Sequence, residues 1–178
     1  LADIQPASMK RIIFLLYGIL LSATAEAQRP VEHIAVNWPE EYHWKVVSRE
    51  NKENITSLTI IPGNETIQTA TVVGVMTAYK GMTTSGPEDV VTFFRKELDS
   101  GSVLTVLQEG DNVKHHWVIF KVETPKTSKY PEPESDLYYC VQGDFALYED
   151  HVAIKESSLS QSFEDKWTGI FKAGKLGQ

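Results

Sequence analysis

Five histidines, one cysteine and several adjacent carboxylate pairs are the residues from which a reactive site could be assembled. The histidines are His33, His43, His115, His116 and His151. No His-x-x-x-His or Cys-x-x-Cys spacing occurs, so no pair is set to grip one metal ion. His115 and His116 are neighbours on an expected strand, which sends their side chains to opposite faces. They read as surface histidines, and no metal ligand is assigned. Cys140 lies in the apolar run Leu137-Tyr138-Tyr139-Cys140-Val141 and reads as a small buried hydrophobe. Glu40-Glu41, Glu149-Asp150 and Glu164-Asp165 read as solvated turns or helix starts, where carboxylates favour the dipole. No Gly-x-Ser-x-Gly elbow is present. Gly81 to Gly86 carries neither a dinucleotide fingerprint nor a Walker lysine. The sequence therefore assigns no catalytic residue and implies no cofactor.

Charge narrows the partners. The 178 residues carry 17 Lys+Arg against 24 Asp+Glu, a formal charge of −7. A nucleic-acid partner calls for a basic stripe, which this balance argues against. One cysteine cannot close an internal disulfide, so any core must come from apolar burial.

The N-terminal region reads as an export address. Met9 opens it, Lys10 and Arg11 supply a positive start, and Ile12 to Leu21 form an apolar run broken only by Gly18. Small residues follow, and Ala25-Glu26-Ala27 fits a cleavage site between Ala27 and Gln28, with Ala23-Thr24-Ala25 as an alternative. The apolar run is shorter than the about 20 residues of a membrane span. The expected organisation is upstream residues 1–8, a signal peptide over 9–27 and one domain over 28–178. Cleavage removes two cations and two carboxylates and leaves the charge at −7. The expected product is soluble and without a stable membrane anchor, in the periplasm or outside the cell. Asn54-Ile55-Thr56 and Asn64-Glu65-Thr66 match the short glycosylation sequon.

The elements that must position any site come next. A short extended piece is expected near Ile34 to Val36. Tyr42 to Ser48 alternates, with Tyr42, Trp44 and Val46 on one face, and predicts a strand. Ile55 to Ile61 predicts its hairpin partner, stopped by Pro62-Gly63-Asn64. Thr71 to Tyr79 is apolar on both faces and predicts a mid-sheet strand. Ser85-Gly86-Pro87-Glu88 predicts a capped helix start, with Val90, Val91, Phe94 and Leu98 on one face and Gly101 as its stop. Strands follow at Val103 to Gln108, His115 to Glu123, Leu137 to Gln142 and Phe145 to Glu156, the last with a break near Glu149-Asp150. Ser160 or Ser162 caps a final helix with Phe163, Trp167, Ile170 and Phe171 as its stripe.

These elements predict an α+β fold: a mainly antiparallel sheet of about six to seven strands with helices on opposite sides, an α/β/α sandwich. Tyr42-His43-Trp44-Lys45, the Ser85 to Leu98 helix, and the Leu137 to Gly143 strand leading to Phe163 to Phe171 together resemble the Mog1/PsbP-like fold. The chain likewise resembles small exported bacterial proteins. That resemblance implies a non-enzymatic accessory or binding factor and carries no functional residue with it. An NTF2-like or cystatin-like cone is the alternative, although those folds place a long helix near the start. The expected function is binding of an unknown protein or small-molecule ligand, with exposed rings such as Tyr148 or Trp117 as groove walls. A hydrolase or other enzyme with a non-sequential His/carboxylate site is the competing expectation. It requires His43, His115, His116 or His151 to meet a carboxylate in a cleft.

Overall fold

The structure is a computed structural model that describes residues 32–111, 115–126 and 131–177. The expected signal peptide, its Ala27/Gln28 junction and upstream residues 1–8 lie outside the described residues. Strand β1 (His33–Ala35) comes first, followed by a 3-10 turn (Glu40–Tyr42). Then come β2 (Lys45–Asn51), β3 (Ile55–Ile61) and β4 (Val73–Lys80). Helix α1 (Pro87–Glu97) leads to β5 (Val103–Asp111), β6 (His116–Thr124), β7 (Glu134–Gln142) and β8 (Ala146–Ile154). Helix α2 (Gln161–Ala173) and β9 (Lys175–Gly177) close the chain.

Seven strands form one antiparallel sheet in the order β2-β3-β4-β8-β7-β6-β5, and β1 pairs with β9 in a separate ribbon. The connection from β4 to β5 carries α1, which lets β8 return beside β4 and close the sheet at its centre. The architecture is thus α+β with helices on both faces.

Alternation along the central strands builds two cores from the same residues. On the front face, Val118, Phe120, Val122, Cys140 and Leu147 pack against Val90 and Val91 of α1. On the back face, Ile119, Leu137, Tyr139, Val141 and Val152 pack against Trp167 and Phe171 of α2. Each wholly buried side chain of this size contributes roughly 2 kcal/mol of transfer free energy. Tyr138 stacks on Phe120 at 4.8 Å in front. Trp38 sits 5.6 Å from Trp167 behind. Gly74 makes room for Trp38: a Cβ there would come within 2.6 Å of its ring.

Several boundaries differ from the sequence expectation, each for a local reason. Tyr42 and Trp44 precede the strand, because the 3-10 turn and a left-handed His43 (φ 49°) redirect the chain before Lys45. Both rings pack around Trp167 instead of forming one face of β2. Ser85 does not cap α1; the N-cap is Gly86, and Asp89 reaches back to accept from the Ser85 N–H at 2.8 Å. Gly101 (φ 95°) belongs to the turn into β5, since α1 has already ended at Glu97. Strand β8 runs unbroken through Glu149-Asp150. Those two carboxylates are buried mid-strand, not placed on a solvated turn. Ser160 is the cap of α2, its hydroxyl accepting from the Phe163 N–H.

Candidate functional site

Register along β4, β8 and β7 gathers a polar cluster on the front face that no sequence spacing announces. Val75 pairs with His151 and Thr77 with Glu149. Tyr138 pairs with His151 and Cys140 with Glu149. His151 and Glu149, two residues apart on one strand, share a face and meet at 2.5 Å between Nδ1 and Oε1. Tyr79 donates its hydroxyl to the other Glu149 oxygen at 2.7 Å. Asp136 lies 4.0 Å from His151 Nε2. The Tyr138 ring stands 4.6 Å from the imidazole.

Burial sets the electrostatics. Glu149 is 3% exposed and Asp136 6%. Desolvation pushes the Asp136 carboxyl up to about 7, against the pull of the His151 charge. For His151, burial acts to lower the pKa; the Glu149 hydrogen bond and the charges of Glu149, Asp136 and Glu134 outweigh it, so the net direction is up. Desolvation, with help from Glu149, also raises the Tyr79 phenol. On the back face, burial raises Asp150 well above its ordinary value, and its Oδ2 has no hydrogen-bond partner among the described residues.

The cluster raises the proton affinity of Asp136 and His151, but it lacks the geometry of nucleophilic catalysis. A catalytic histidine turns one nitrogen to an acid and the other to the nucleophile. Both nitrogens of His151 face carboxylates. Burial raises the Cys140 thiol well above its ordinary value, which leaves it inert as the thiolate. Among the described residues, no group of three or more His, Cys, Asp or Glu side chains is arranged to hold a metal ion.

Among the described residues, the front face beside the cluster is open. Helix α1 packs on β5 and β6, and among the described residues neither helix packs to that extent on β2 or β3. A groove of about 450 Å³ runs there, lined by Lys45, Val47, Ser48, Thr59 and Ile61 of the sheet and by Ile67 of the loop that follows β3. Its walls are aliphatic, its rim carries hydroxyls, and Lys45 forms no ion pair among the described residues. A second hollow of about 350 Å³, at Tyr42, His43, Pro62 and Asn64, lies at the turn before β2.

The remaining expected site residues are distributed elsewhere. His33 and His43 are exposed. His116 is buried rather than at the surface, with Nε2 2.7 Å from the Thr84 hydroxyl. Thr84 in turn donates to Gln142, whose amide donates to Met82, Gly143 and Ala146 carbonyls, pinning the loop before α1 to the sheet end. His115 contacts the Gln142 carbonyl through Nδ1 at 2.9 Å. Glu164 holds Lys121 at 2.7 Å and fastens α2 to β6. Tyr148 and Trp117 pack into the back core and line neither groove. Sequence reasoning missed Tyr79 and Asp136, which only strand register could have placed beside His151.

No family model matches the chain, and no curated protein matches it. Among the described residues, no helix is long and apolar enough to cross a membrane.

Proposed function

We propose that this chain is an exported, non-catalytic binding or accessory protein of the cell envelope or extracellular space, acting through the open half of its front face. The observation that carries the reading is the groove over β2 and β3, where Val47 and Ile67 meet solvent above the buried Ile61, beside Lys45, which forms no ion pair among the described residues. Ligand sites combine an apolar wall with a few placed polar groups in this way. Export is supported by the order of charge, apolar run and small residues ahead of Gln28. A Mog1/PsbP-like relationship, proposed from element order, agrees with an accessory role.

A photo-crosslinking side chain at Thr59, in the producing cells, tests the binding reading. It should give a defined adduct that Ile67→Asp abolishes and that the same probe at Asp165 on α2 does not give. Adducts of equal yield from both positions, or none from Thr59, would refute it. Export is checked by N-terminal sequencing of the protein outside the cytoplasm, which should begin at Gln28.

The 2.5 Å contact between His151 and Glu149 favours one second reading, an enzyme using that pair. It requires hydrolysis of an ester, glycoside or phosphate substrate that His151→Gln eliminates while the fold persists.

A further inference from the structure

The sheet ends in two edges of opposite character. Edge strand β2 carries Lys45, Arg49 and Glu50, is exposed along its whole length, and bulges between Val46 and Ser48. Charge and bulges are the devices by which an edge refuses another strand. Edge strand β5 has no charge from Val103 to Gln108, and its run Val103-Leu104-Thr105-Val106, with three β-branched residues, is regular up to the bulge after Val106. Val103 is 57% exposed. An uncharged edge of this kind is a template for pairing.

We propose that β5 pairs antiparallel with β5 of a second copy of this chain, so that one sheet runs through both molecules. The charges at the two ends of the strand select a second copy. Glu109 and Asp111 are exposed at the far end and form no ion pair among the described residues. At the near end stand Lys96, in the last turn of α1, and Lys126, which follows β6 where Val103 pairs with Glu123. Asp99 at that end is already engaged, and Glu123 is held by Lys121, which leaves Glu97 against two ammonium groups. A two-fold axis through Thr105 sets Leu104 opposite Val106 of the other copy. The same axis brings the acidic end of each strand to the lysine end of its mate. A two-fold interface must be self-complementary in this sense. The groove over β2 and β3 lies at the opposite edge, so the pairing is independent of the proposed ligand site and leaves both grooves open.

Sedimentation equilibrium of the purified protein at rising concentration should approach twice the mass of one chain. Thr105→Lys should weaken the dimer at least about tenfold, with an unchanged far-ultraviolet spectrum, and Val103→Lys should do the same. Lys96→Glu and Glu109→Lys should each weaken it, and the two together should restore it. Arg49→Glu on the other edge should have no effect. A protein that stays monomeric at every concentration overturns the proposal, and so would pairing of β5 with residues 1–31 of its own chain. A dimer indifferent to both Thr105→Lys and Val103→Lys assembles through another surface and equally overturns it.

Discussion

Asp136 and His151 tie stability to pH in the same direction. The Asp136 carboxyl titrates at about 7 in the fold against an ordinary 3.8. Between those values the folded chain holds a proton that the unfolded chain has released, so stability falls as pH rises through that window. His151, with its pKa raised, contributes stability that is complete below its ordinary 6.5 and lost as pH climbs through the folded value. Buried Asp150 adds to the same trend. The urea midpoint should therefore be higher at about pH 5 than at about pH 8. Asp136→Asn should flatten that slope and raise stability at the alkaline end, measured by urea titration across pH. His151→Leu should instead destabilise by about 3 kcal/mol or more, because the buried Glu149 Oε1 then loses its hydrogen-bond partner. Adding Glu149→Gln should recover part of that loss in a double-mutant cycle.

At the scale of elements, the two helices are secured differently. Helix α2 has a side-chain cap, the Ser160 hydroxyl accepting from the Phe163 N–H at 3.3 Å. Ser160→Ala should lower stability by about 1 kcal/mol in thermal unfolding. Helix α1 has no side-chain cap and relies on the loop ahead of it, which Thr84 and Gln142 hold to the sheet. Gln142→Leu removes the acceptor for the Thr84 N–H and one donor each to the Met82, Gly143 and Ala146 carbonyls. Hydrogen exchange at Thr84 should accelerate by about tenfold or more, while the back-face strands keep their protection.

The whole molecule consists of two cores divided by one sheet. Val91 of α1 belongs to the front cluster and Phe171 of α2 to the back one, and each is fully buried. Packed layers stand about 10 Å apart, beyond the reach of direct contact. Val91→Ala and Phe171→Leu should therefore destabilise additively, within about 0.5 kcal/mol, in urea unfolding. A larger departure would show that the sheet transmits strain between its faces. Both cores depend on the same three central strands, so either loss should shift one cooperative transition and not split it.

Periodicity and punctuation determined which segments become helix or strand. The Phe163–Phe171 stripe, the doubly apolar Thr71–Tyr79 run, of which β4 takes Val73 onward, and the alternation around Ile119 and Tyr139 each read directly onto a layer of the fold. These signals are local, carried by residues a few positions apart that share a face. Strand order and register are not local. The return of β8 beside β4 is what joins Tyr79 to Glu149, and the β7–β8 register is what sets Asp136 near His151. The Tyr42–Trp44 alternation misled because a left-handed His43 reversed the chain, and tertiary packing around Trp167 stabilised that reversal. Glu149 and Asp150 resemble a surface turn when only their neighbours are considered. They are buried because β8 runs through the middle of the sheet and turns one of them into the packing on each face.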